Sequence, residues 1–154
     1  MKTKEVLELL LRKNLQIAFA ESMTGGAVVS ELIKYENASK VCHLGLVLYS
    51  NQMKKQFANI TDDDLNQHGV VSKMIAVKLA ESVLLSSYAN IGVGITGSAG
   101  PTSEPNSKVG EVWVSILYLN EYFNYHFQFG KIGREMVIEK TTEAIYNLIY
   151  NLLV

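Results

Sequence analysis

Three short segments of the 154-residue chain combine hydroxyl, amide and glycine groups in ways that can do chemistry. The first is Ser22-Met23-Thr24-Gly25-Gly26, in which two hydroxyls precede paired glycines. Backbone N–H groups at a helix start can face an oxyanion or a phosphate, and glycine lets a ligand approach the main chain closely. Such a segment suits a nucleophile or a phosphate cradle, and it equally suits a plain tight turn with Thr24 as N-cap. It is not a Walker A loop, because the lysine is absent.

The second segment is Tyr49-Ser50-Asn51-Gln52-Met53-Lys54-Lys55. With Ser50 as a helix cap, Lys54 falls one turn in and can point back over the preceding strand end, whereas Lys55 is rotated by about 100° and faces elsewhere. A lysine held among apolar groups beside a serine can lose its proton and serve as a general base. A solvated lysine on a helix face is the commoner fate of any single Lys. The third segment is Thr96-Gly97-Ser98-Ala99-Gly100-Pro101, with Lys108-Val109-Gly110 beyond it. Its small residues leave room for a flat ligand and its amide and hydroxyl donors suit phosphate or ribose, although one glycine loop is also compatible with a permissive turn. The histidines His43, His68 and His126 are far apart and lack a carboxylate at ligand spacing, so no metal site is expected. No HExxH, paired-carboxylate or GxSxG pattern occurs.

The elements that must position these loops follow from periodicity. Leu7, Leu10 and Leu11 repeat at helical spacing within Lys4 to Lys13, Gln16 to Ala20 reads as a strand, and Ala27 to Ile33 suits a helix. Val41 to Tyr49 contains the apolar run Leu44-Gly45-Leu46-Val47-Leu48, the pattern of a strand buried on both faces, and is expected at the centre of the sheet. Ser50 caps a helix over Asn51 to Ala58; after an acidic turn at Thr61 to Asp64, a second helix runs from about Ser72 to Ser86. Ile91 to Thr96 is a strand, the polar stretch through Lys108 is loop, and Glu111 to Tyr118 and Tyr122 to Phe129 form an antiparallel hairpin. A helix from about Arg134 to Leu152 follows. The expected fold is α/β, a three-layer α/β/α sandwich with a mixed, mainly parallel sheet, in one domain spanning residues 1–154. In such folds, loops that follow strands gather at one sheet edge.

Composition narrows the function. Hydrophobic residues make up 48% and charged residues 19%, so disorder is not expected. Fourteen basic against fifteen acidic residues (14 and 15) leave a formal net charge of −1, which offers no footprint for a nucleic-acid backbone. Cys42 is the single cysteine, so neither an intramolecular disulfide nor a Cys-based zinc site is expected, and a reducing cytoplasm is the expected location. The N-terminus lacks the features of a signal peptide, and no apolar run approaches the roughly 20 residues that span a bilayer. The aromatics Tyr118, Tyr122, Tyr125 and Phe127 on the hairpin suit an interface or a core equally well.

Taken together, Ala20-Glu21-Ser22-Met23-Thr24-Gly25-Gly26, Tyr49-Ser50-Asn51-Gln52-Met53-Lys54, His68-Gly69-Val70-Val71-Ser72 and Thr96-Gly97-Ser98-Ala99-Gly100-Pro101 resemble the ordered motifs of the CinA C-terminal domain family over nearly the whole chain. The resemblance implies an amidohydrolase that converts nicotinamide mononucleotide and water to nicotinic acid mononucleotide and ammonia, using a serine and a lysine without metal or cofactor. It implies Ser22 as nucleophile, Lys54 as its base and Tyr49 as a partner in the same set. It also implies Thr24, Gly25, Gly26, Asn51, Thr96, Gly97, Ala99 and Gly100 around the nucleotide, and a homo-oligomer. Some relatives carry a further N-terminal domain with its own nucleotide-hydrolysing activity, which is not expected here.

The chain departs from the family pattern at several positions. Met23 stands where Cys is usual, Gln52 and Met53 replace the usual Glu-Ala, and Thr102 to Ser107 replace a glycine-rich loop. Ser107-Lys108-Val109-Gly110 stands for Lys-Pro-Val-Gly. A Phe-x-Gly-x-Arg stretch survives loosely between Phe129 and Arg134, which makes Arg134 the candidate phosphate ligand. A neutral Lys54 near pH 7 requires its pKa to fall by about three units, at a cost of roughly four kcal/mol. The alternative expectation is a nucleotide-binding, competence-associated module that no longer turns substrate over.

Overall fold

The computed structural model describes residues 1–154. Helix α1 (Thr3–Lys13) buries Val6, Leu7, Leu9 and Leu10 on one stripe and stops where Asn14 turns left-handed. Strand β1 (Ile17–Glu21) is buried along its whole length and leads into α2 (Ala27–Leu32). A single 3₁₀ turn (Ala38–Lys40) precedes β2 (Leu44–Val47). The Ser50 hydroxyl accepts the Met53 N–H at 3.2 Å and so caps α3 (Asn51–Ala58), with the bounds its sequence implies. Helices α4 (Asp62–His68) and α5 (Lys73–Ser87) follow, then β3 (Ile91–Gly97), the hairpin β4 (Glu111–Tyr118) and β5 (Glu121–Gln128), and α6 (Arg134–Leu153).

The five strands lie in the order β2-β1-β3-β4-β5. Pairings of β1 with β2 and β3 are parallel, and those of β4 with β3 and β5 are antiparallel, so only β4 runs against the other strands. Helices α1, α2 and α6 cover one face and α3, α4 and α5 the other, giving the α/β/α sandwich. Alternation along β1 divides its side chains between the layers: Ile17 and Phe19 enter the α1/α2/α6 side, while Ala18 and Ala20 meet α5. Alanines and glycines on that second face let α5 lie close. A Cβ at Gly94 would sit 2.1 Å from the Ala76 carbonyl oxygen, so glycine is required there for steric reasons alone.

Two expectations are corrected. The Val41–Tyr49 segment is not central: β2 pairs with β1 alone and forms the sheet edge, with Val47 exposed. Nor is the strand buried on both faces: Leu44 and Leu46 are half-buried, whereas Gly45 and Val47 on the other face are exposed. Leu44 and Leu46 pack on the α5 side, and Gly45 lies against Val29 of α2. The central strand is β3. The second correction is that Thr61 to Asp64 is no mere turn; it opens α4 through a reciprocal cap, with Asp64 N–H to the Thr61 hydroxyl at 3.0 Å and Thr61 N–H to the Asp64 carboxylate at 2.9 Å. On the hairpin, Tyr118, Tyr125 and Phe127 pack against the core, while Tyr122 stays exposed. Leu119 and Asn120 both take positive φ, the geometry of a tight two-residue hairpin turn.

Candidate active site

A parallel β1-β2-β3 core points its strand ends, and the loops that follow them, to one side of the sheet. There the chain encloses a cleft of about 390 Å³. Loop 22–26 supplies Ser22 and Met23, the segment after β2 supplies Tyr49 and Asn51, α3 supplies Lys54, and the end of β3 supplies Thr96, Gly97, Ser98 and Ala99. Arg134, the first residue of α6, closes another side.

Lys54 is the unusual group. Helix α3 directs it inward as the cap spacing requires, and it is only 2% exposed, whereas the adjacent Lys55 is exposed and pairs with Asp62. No carboxylate lies within ion-pair distance of Lys54, which takes part in none of the six salt bridges. Burial lowers its pKa from the ordinary 10.5 to about 8, with the negative charge of Glu104 acting in the opposite sense. The hydroxyl of Ser22, itself buried, makes no hydrogen bond within the protein and lines the same cleft. A hydroxyl nucleophile and a lysine with a weakened hold on its proton thus share one polar cleft, the pairing that acyl-transfer chemistry uses.

The loop that presents Ser22 is organised by Glu21, a fully buried carboxylate the sequence reading passed over. Its Oε1 accepts hydrogen bonds from Thr24 Oγ1 at 2.6 Å and from the N–H groups of Gly26 and Val28 at 3.1 Å each, and its Oε2 accepts from Val29 N–H at 3.0 Å. This carboxylate therefore fills the N-terminal end of α2, the place where a bound anion had been expected. Thr24 is spent on Glu21, Gly26 begins the helix with φ +100°, and Thr24, Gly25 and Gly26 do not line the cleft. The main-chain N–H groups of Met23 and Thr24 carry no backbone partner.

Thr96 donates its hydroxyl to the Val70 carbonyl at 2.8 Å and ties the entry to α5 against the end of β3, which brings Val70 into the cleft wall. Arg134 Nη1 donates to the Gly100 carbonyl at 2.9 Å and Nη2 to the Tyr49 hydroxyl at 2.5 Å. Tyr49 is thus joined to Arg134, not to Ser22 or Lys54, and Gly100 acts from behind by holding Arg134. The polar loop after Pro101 adds Thr102, Ser103 and Glu104 to the lining. It is fastened through Ser98, whose hydroxyl lies 2.7 Å from the Ser107 hydroxyl and accepts the Glu104 N–H at 3.0 Å. Sequence reasoning missed Ser98 and Glu104; a lone serine between glycine and alanine ahead of a polar loop was the signal. All three histidines are exposed, with His126 stacked on Trp113 at 4.1 Å between ring centres.

The sandwich and its strand-end cleft define an α/β domain with a polar cleft where the strand ends and their loops meet. The sequence profile described as the CinA C-terminal domain matches residues 1–153, and the chain belongs to that family. A competence-damage inducible protein of Clostridioides difficile is 44% identical over 75% of this chain, and a CinA-like protein of Prochlorococcus marinus is 37% identical over 93% of it. The chain spans about a third of the length of these curated relatives, 28% and 32% respectively. Among solved structures, a competence/damage inducible protein from Agrobacterium tumefaciens superposes with a TM-score of 0.92 at 27% identity, covering 97% of this chain and 92% of that one. One from Enterobacter asburiae gives a TM-score of 0.94 at 25% identity, covering 99% and 96%. No helix is long and apolar enough to cross a membrane.

Proposed function

We propose that the domain is a serine-dependent amidohydrolase that converts nicotinamide mononucleotide and water to nicotinic acid mononucleotide and ammonia. The observation that carries this reading is Lys54: an almost fully buried amine, without a carboxylate partner, opening into the cleft that also holds the free hydroxyl of Ser22. Burying an ammonium costs stability, and a chain gains nothing structural from one that pairs with no anion. The substrate identity follows from the family resemblance.

Neutral Lys54 takes the Ser22 proton as the oxygen attacks the carboxamide carbon. The N–H groups of Met23 and Thr24 are the available donors for the oxyanion. The Lys54 ammonium then protonates the leaving nitrogen, ammonia departs, and an acyl ester remains on Ser22. Water, activated by Lys54, attacks the ester, returns the proton to Ser22 and releases the acid. Arg134, held by the Gly100 carbonyl and the Tyr49 hydroxyl, meets the nucleotide phosphate with its remaining N–H groups in this reading. Purified protein given nicotinamide mononucleotide is expected to release ammonia, and Ser22→Ala or Lys54→Ala to abolish that release; full activity in both variants refutes the mechanism.

One observation favours a second reading, a nucleotide-binding module without turnover. Glu104 acts on Lys54 so as to favour the ammonium, the form unable to accept a proton. Saturable binding of the mononucleotide with no ammonia produced is the signature of that reading.

A further inference from the structure

Three charged side chains line the cleft: Lys54, Arg134 and Glu104. The first two suit an anionic ligand. Glu104 does not, because a carboxylate beside a phosphate is repulsive. Yet its position is built. The Glu104 N–H is held by the Ser98 hydroxyl at 3.0 Å, and its carbonyl accepts from the Ser107 hydroxyl at 2.7 Å and the Ser107 N–H at 3.1 Å. Ser98 is in turn buried at the end of β3, so the loop is pinned to the central strand. The Glu104 carboxylate itself enters none of the six salt bridges, although Lys54 belongs to the same cleft. A residue of the cleft lining on a fixed backbone, exposed and with no ionic partner, is free to contact ligand.

We infer that Glu104 is a specificity-determining residue: its carboxylate selects, among carboxamide mononucleotides, those whose carboxamide sits on a cationic ring. The cleft then carries two signs. Arg134 meets the phosphate, and Glu104 meets the ring cation at the end of the cleft where Lys54 and Ser22 stand. A zwitterionic ligand satisfies both, whereas a ligand with phosphate alone meets Arg134 and is opposed by Glu104. The inference rests on the proposed reading of the cleft as a mononucleotide-amide site.

The test is a binding measurement, so that it does not depend on turnover. Ser22→Ala protein is titrated by calorimetry with nicotinamide mononucleotide, whose ring is a pyridinium, and with its dihydro form, whose ring is uncharged. The same two titrations are run on Ser22→Ala carrying Glu104→Gln, with thermal melts to confirm that the exposed, isosteric change leaves the fold intact. With Glu104 present, the cationic form is expected to bind about tenfold more tightly than the dihydro form, the worth of one partly desolvated ion pair. Glu104→Gln removes that preference by weakening the cationic form and leaving or improving the neutral one. Equal effects on both forms, or none, overturn the inference. If the preference holds and wild-type protein releases no ammonia, the hydrolytic reading fails and this one stands. Ammonia release with no charge preference has the reverse meaning, and failure of both forms to bind together with no ammonia release by wild type refutes the two together.

Discussion

Replacing Lys54 with methionine is expected to stabilise the protein, because the reading of the site requires a buried ammonium held at a cost. Folding moves the Lys54 pKa from an ordinary 10.5 to about 8. At about 1.36 kcal/mol for each pH unit, the folded state carries a burden of about 3 kcal/mol wherever both folded and unfolded chains are protonated, that is, below about pH 8. Between pH 8 and 10.5 the unfolded chain still binds the proton and the folded chain does not, so wild-type stability rises with pH through that window. Methionine keeps an unbranched side chain of similar length in the same space and has no proton to lose. Urea unfolding at pH 7 is therefore expected to show Lys54→Met more stable than wild type by about 3 kcal/mol, and the gap is expected to close progressively from pH 8 to 10.5. A variant no more stable than wild type at pH 7, or a gap that does not change with pH, refutes the account of Lys54 as a desolvated base. The same variant should release no ammonia, setting stability against activity at one residue.

The pH dependence of kcat/KM should rise to a plateau above about pH 8 as Lys54 loses its proton, and Glu104→Gln should move that rise to lower pH, since it deletes the one charge that favours the ammonium; an unmoved profile refutes the link. Glu21→Ala strands four donors in and around the start of α2 and should cost about 3 kcal/mol in chemical denaturation, with the Ser22 loop losing its shape and activity falling with it. Gly94→Ala forces a methyl into the Ala76 carbonyl and should destabilise by about 3 kcal/mol, while the neighbouring surface change Lys73→Ala should not be measurable in the same urea titration. Arg134→Ala should raise KM for the mononucleotide about tenfold through loss of a phosphate contact, and much less for nicotinamide riboside, which has no phosphate.

Local pattern settled much of this molecule. The serine cap and apolar spacing of α3, the hairpin of β4 and β5 and the last helix all depend on neighbours in sequence, so periodicity and capping chemistry reveal them. The inward direction of Lys54 and outward direction of Lys55 belong to the same class, because helix geometry separates adjacent residues by about 100°. What only the tertiary structure decided involves partners remote in the chain. An apolar run does not say how many strands or helices cover it, which is why β2 reads as central and buried yet lies at the rim with alternate residues exposed. The Glu21 carboxylate occupies the start of α2 by reaching N–H groups up to eight residues on, a path that no strand or helix period encodes. Tyr49 meets Arg134 across 85 residues, and Glu104 reaches the cleft only because Ser98 pins its loop. Residue types and order singled out Ser22 and Lys54 as candidates; packing of distant loops chose which charges surround them, because electrostatic environment is a property of space and not of spacing.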